Sequence, residues 1–177
     1  MRKRTGLTVA LILGGALAVL AVASYAVAGS GTNNVHEDLV GYEEVPAVST
    51  AAGGSIKLKI DDAASTIDYT LSYAGIEGGS VVAAHIHLGQ PGVNGGVSAF
   101  LCGGGGKPAC PPTSGSLSGT IVSSDVIGPA AQGIAAGEFA ELVAAIRAQT
   151  AYANVHSAPM WPGGEIRAQL NAQPNDG

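Results

Sequence analysis

The chain is poor in charge, aromatics and sulfur, and each shortage narrows what the protein is. Charged residues make up 12% of the sequence, against 46% hydrophobic residues, which excludes a disordered acidic or basic chain. No basic patch occurs past the first four residues, so nucleic acid is excluded as a partner. No serine lies in a nucleophile-elbow pattern and no pair of carboxylates stands out, so the sequence does not support a hydrolase. With two cysteines and two methionines, no thiolate or thioether is placed to build an electron-transfer copper site. Glycine, in contrast, is abundant at 27 of 177 residues, and nine prolines join it. Helices tolerate that load badly, so a turn-rich, strand-dominated single domain is expected.

The N-terminus has the order of a targeting segment. Arg2, Lys3 and Arg4 open the chain, and an uncharged run extends from Leu7 to Ala28. Small residues stand in A-x-A arrangements at Ala21-Val22-Ala23 and Ala26-Val27-Ala28. Residues 1–28 are therefore expected to be a secretory signal peptide. The alternative is a retained membrane anchor over residues 7–28, which is long enough to span a bilayer. In either case the basic end stays cytoplasmic and the rest lies outside, secreted, extracellular or periplasmic. Contact with a membrane is expected only through this segment. The mean hydropathy of +0.31 owes much to it. Beyond residue 28 the chain carries five basic side chains against 13 acidic ones, a moderately acidic exported domain. In an oxidising compartment Cys102 and Cys110 are expected to form a local disulfide, and a metal pair is the weaker reading.

Residues 29–35 read as a linker, 36–170 as the domain and 171–177 as a flexible polar tail. Leu39 to Val48 reads as extended chain interrupted by Pro46. Ile56, Leu58 and Ile60 alternate with Lys57 and Lys59, and Ile67, Tyr69, Leu71 and Tyr73 alternate with Asp68, Thr70 and Ser72. With Asp61-Asp62-Ala63-Ala64-Ser65 as the turn, the two runs form a hairpin. Further strands are expected at Val81–Leu88, Val97–Leu101, Leu117–Val122, Ala151–His156 and Glu165–Leu170. Phe139, Leu142, Val143 and Ile146 recur at helical spacing after Gly137. The fold expected is a mostly-β antiparallel sandwich or barrel with one short helix.

One strand carries residues suited to chemistry. In Val81–Leu88, the apolar parity of Val82, Ala84, Ile86 and Leu88 should face the core. His85 and His87 then project from the opposite face, about 7 Å apart along the strand. In the next candidate strand Ala151, Ala153 and Val155 face the core, while Tyr152, Asn154 and His156 point the other way. In the last, Glu165, Arg167 and Gln169 share the outward parity. If these strands are neighbours, one outer face holds His85, His87 and His156 as metal ligands. Asn154, Glu165 and Arg167 stand around them as supporting residues; Glu165 and Arg167 also read as a surface ion pair. A structural polar network is the competing reading. His36, ahead of the first full strand, is incidental. Three neutral imidazoles suit copper or zinc and leave a coordination position for a small ligand.

Four ordered segments extend this reading. Leu39-Val40-Gly41-Tyr42-Glu43-Glu44-Val45-Pro46, Ala83-Ala84-His85-Ile86-His87-Leu88-Gly89, Tyr152-Ala153-Asn154-Val155-His156-Ser157 and Pro162-Gly163-Gly164-Glu165-Ile166-Arg167-Ala168-Gln169-Leu170 resemble the chordin-type (CHRD) domain over nearly all of residues 36–170. The resemblance implies an immunoglobulin-like β-barrel, distantly related to copper–zinc superoxide dismutases, in a secreted or surface protein of no settled activity. By that likeness His85, His87 and His156 look like copper ligands and Arg167 like an anion-guiding arginine. No histidine lies between His87 and His156 to bridge two metals, and the zinc-binding loop is missing, so dismutation is not expected. The resemblance implies a non-catalytic module that binds an extracellular protein or an envelope component. The alternative is a copper- or zinc-binding protein with a metal-handling or weak redox role.

Overall fold

Alternation of apolar and polar side chains builds most of the sheet. In the computed structural model, which describes residues 33–173, β1 spans Asn34–Val40, β2 Gly53–Asp61, β3 Thr66–Ala74, β4 Gly79–Leu88, β5 Gly96–Cys102 and β6 Gly115–Ile121. A single α-helix among the described residues, α1, spans Phe139–Arg147, and β7 Ala151–Pro159, β8 Trp161–Gln169 and β9 Ala172–Gln173 complete the order. The expected export segment, residues 1–28, lies outside the described residues.

All strand pairs are antiparallel, in the order β5-β4-β7-β8-β1-β2-β3-β6, with β9 paired to β1. The sheet curls into a nearly closed barrel, so that Tyr69 of β3 donates its hydroxyl to Leu101 O of β5 at 2.7 Å. Ile56, Leu58, Ile60, Ile67, Tyr69, Leu71 and Tyr73 are buried inside, as the period of two requires. The β2–β3 turn is held where Asp61 Oδ1 accepts from Ala64 N at 2.9 Å. Helix α1 buries Phe139, Leu142, Val143 and Ile146. Its last residue, Arg147, pairs with Asp62 at 2.6 Å and ties the helix end to that turn.

Two expectations need correction. The stretch from Leu39 to Val48 is not one extended segment. β1 stops at Val40, Gly41–Glu43 forms a 3₁₀ turn, and Val48 N donates back to Gly41 O at 2.8 Å. A Cβ at Gly41 would lie 2.4 Å from that same Val48 O, so the turn requires glycine. At the edges of the described residues, Asn34 and Val35 of β1 pair with Gln173 and Ala172 of β9. Finally, Val82 is 48% exposed while Val81 is 6% exposed. A register shift between Val81 and Ala83 in the β4–β7 ladder reverses the parity there, and the expected alternation resumes at Ala84.

Cys102 and Cys110 form the expected disulfide, with sulfurs 2.05 Å apart. It closes the loop that carries the chain from β5 to β6, the two end strands of the sheet. Lys107 in that loop reaches Thr120 O at 2.7 Å and Asp125 at 2.9 Å. The bridge thus closes the loop whose Lys107 reaches the β6 side of the seam. Replacing both cysteines with serine is expected to lower unfolding stability by about 2–3 kcal/mol, read from urea denaturation curves. An unchanged midpoint would show that the loop holds without it.

Candidate metal centre

Antiparallel pairing of β4 with β7 places Ala83 opposite His156, His85 opposite Asn154 and His87 opposite Tyr152. The three histidines share one face, and one ligand nitrogen from each lies within 4.8 Å of the others. His85 Nδ1 stands 2.9 Å from His156 Nε2. Two nitrogens each about 2.0–2.1 Å from one ion sit roughly 3 Å apart, so that spacing fits shared coordination. Backbone carbonyls orient two of the rings. His87 Nδ1 donates to Gly95 O at 3.1 Å, and His156 Nδ1 donates to Pro162 O at 3.0 Å. Both rings then present a lone pair at Nε2, the form a metal takes. His85 Nε2 and His87 Nε2 are buried without a protein partner. A buried ring nitrogen left in that state is costly, and a cation bound at His87 Nε2 removes the cost there, whereas His85, facing His156 through Nδ1, keeps its Nε2 unpartnered. His36 lies exposed on β1, outside the cluster.

The expected outward face is not solvent-exposed. His85, His87 and His156 are 9%, 6% and 8% exposed. Phe100 packs edge-on against His85 at 4.4 Å, and the loop from Gly89 to Gly95 folds over His87. Burial lowers the pKa of all three rings, and repulsion from the neighbouring rings adds to it for His85, which falls to about 3, and His87, which falls to about 4; His156 is lowered by burial against its hydrogen bond to Pro162 O. The rings are neutral near pH 7, which is the ligating state.

Arg167, on the same face, is also buried. Its guanidinium lies 3.5 Å over the Tyr152 ring, and that ring stacks on His87 with centroids 4.8 Å apart. Arg167 Nη2 donates to Gln90 O at 3.3 Å and Val93 O at 3.1 Å. Gln169 Nε2 adds a bond to Gly89 O at 3.0 Å, and Gly95 N donates to the Tyr152 hydroxyl at 3.1 Å. These contacts hold down the loop whose Gly95 carbonyl orients His87. Arg167 and Glu165 form no ion pair. Asn154 sits between the Glu44 carboxyl and His87.

Glu165 does not join the cluster. Its carboxylate accepts from Thr50 Oγ1 and Glu77 N at 2.8 Å, from Gly78 N at 3.1 Å and from the Ser157 hydroxyl. It fastens β8 to β7 and to the loops around residues 50 and 77. Glu44 was missed from sequence. It comes directly after the 3₁₀ turn, where no strand parity assigns a face, and no local signal pointed to its burial.

The CHRD domain family matches the chain over residues 35–170, and the chain belongs to that family. No curated protein and no solved structure matches it.

Burial pushes the Glu165 carboxyl up, but its four hydrogen bonds outweigh that and hold it below its ordinary value of 4.5. A depressed carboxylate stabilises the fold fully above its unfolded pKa and loses that contribution as pH falls through its folded value. Stability should therefore decline as pH drops below about 4.5, a decline that Glu165→Gln flattens while weakening the fold at neutral pH. Urea midpoints measured across pH 3–7 check this; parallel curves for the two proteins would contradict it.

Proposed function

We propose that the chain is an exported CHRD-domain module that binds one copper or zinc ion through His85, His87 and His156. It works outside the cytoplasm as a non-catalytic binding or metal-handling domain, with an extracellular protein or an envelope component as its partner. The observation that carries the metal reading is the convergence of three buried, neutral imidazoles, two of them oriented by backbone carbonyls. The all-nitrogen donor set suits copper and zinc better than magnesium or calcium, which prefer oxygen. Arg167 serves the site by holding the Gly89–Gly95 loop, and Asn154 by flanking His87. Support for export comes from the basic start, the uncharged run over residues 7–28 and the disulfide. No helix among the described residues is long and apolar enough to cross a membrane.

Calorimetric titration of the metal-stripped protein with copper(II) and zinc(II) tests the site. One ion per chain is expected. Affinity should collapse in a His85→Ala/His87→Ala double variant. It should fall about 10–100-fold in Arg167→Met, which keeps much of the side-chain bulk but frees the loop. Equal weak binding by the wild type and the double variant would overturn the proposal.

A further inference from the structure

The three imidazoles are not held alike. His87 and His156 each give a ring N–H to a backbone carbonyl, that of Gly95 and that of Pro162. His85 has no such acceptor: its Nδ1 faces His156, and its Nε2 is buried without a hydrogen-bond partner. A ligating histidine is ordinarily oriented through its second ring nitrogen. The angle of the His85 ring has to be fixed by something else.

The β4–β5 ladder brings that group in. Its register shifts between Ala84 and His85: Ala84 pairs with Cys102, yet His85 pairs with Phe100, so Leu101 is passed over. An extra residue of this kind re-aims a neighbouring side chain. Here it sets Phe100 directly across from His85, where the two rings meet at 83° with centroids 4.4 Å apart. Phe100 is itself held by the loop that follows β5. A Cβ at Gly104 would fall 2.3 Å from Phe100 Cε1, and one at Gly105 2.8 Å from Phe100 Cδ2, so bare main chain rests on the ring. That loop is tied down in turn. Gly103 packs so close to β4 that a Cβ there would lie 2.1 Å from Val82 O. Gly103 N donates to Pro108 O at 2.8 Å and Lys107 N to Gly104 O at 2.9 Å, and the Cys102–Cys110 disulfide closes the loop.

We propose that Phe100 is the positioning residue for His85: seated by the main chain of Gly104 and Gly105, it does for this ring what carbonyls do for the other two. The inference rests on the three-histidine metal reading and deepens it, by naming the group that sets the angle of the one ligand without an acceptor.

The test compares copper(II)-loaded proteins by electron paramagnetic resonance, which reports the arrangement of the ligands, and by calorimetric copper affinity. Phe100→Leu keeps apolar bulk but loses the flat ring; it should change the spectrum and weaken copper binding about tenfold or more. Gly104→Ala should change the spectrum too, because its methyl group displaces the ring. Combined, the two substitutions should have less than additive effects on affinity, since the second acts through a ring that the first has removed. Gly106→Asn, in the same loop, should match wild type: a Cβ there meets nothing within 4 Å, and asparagine tolerates the φ of +76°. Thermal unfolding of each metal-free variant confirms that folded proteins are compared. A wild-type spectrum and affinity in Phe100→Leu and Gly104→Ala, additive effects in the combined variant, or an equal spectral change in Gly106→Asn would each overturn the positioning role and leave the metal site standing. Failure of the wild type to take up copper would overturn both.

Discussion

The antiparallel register of β4 against β7 is the constraint on which the site depends. It sets His85 beside Asn154 and His87 beside Tyr152, and it brings His156 within 2.9 Å of His85. A one-residue slip would send every one of these side chains to the opposite face. The register is secured from the other side of the same strands, where Ala84, Ile86, Ala153 and Val155 are fully buried. Packing in the barrel interior thus decides which polar groups meet outside it. The histidines need no helix or dedicated loop to bring them together.

That arrangement places an unusual density of polar groups in a dry environment. Arg167, Glu165, Gln169, Asn154 and the three histidines are all buried. Most are satisfied by backbone atoms: carbonyls of Gln90 and Val93 for Arg167, amides of Glu77 and Gly78 for Glu165, carbonyls of Gly89 and Ala151 for Gln169. Each such bond anchors a neighbouring stretch of chain to β8. The buried polar residues of that strand therefore act as fasteners for the chain around the site, and the order of the loops depends on them. The unpartnered atoms are concentrated differently. Four of the six in the described residues belong to Glu44, His85, His87 and Asn154, around the metal centre.

Local pattern explains what was legible in the sequence. The alternation in β2 and β3 and the helical spacing of Phe139, Leu142, Val143 and Ile146 are properties of neighbouring residues, and the structure keeps them. The common face of His85, His87 and His156 came from the same parity. Their burial did not, because it depends on a loop drawn over them by Arg167, 72 residues beyond Gly95 in the chain. Parity also misled at Val82, where a bulge inserts a residue that alternation does not anticipate. Glu165 shares its strand face with Arg167, yet its partners come from Thr50, Glu77, Gly78 and Ser157, and pattern reading along β8 had no access to them.

The short pairing of β9 with β1 has a geometric consequence. Asn34 and Gln173 leave the sheet side by side. Val40, at the other end of β1, pairs with Arg167. Seven extended residues put those two ends about 20 Å apart. A tether running from either terminus would grip the domain at the same corner, with the Arg167 end of β1 turned toward the far side, clear of whatever the tether is fixed to.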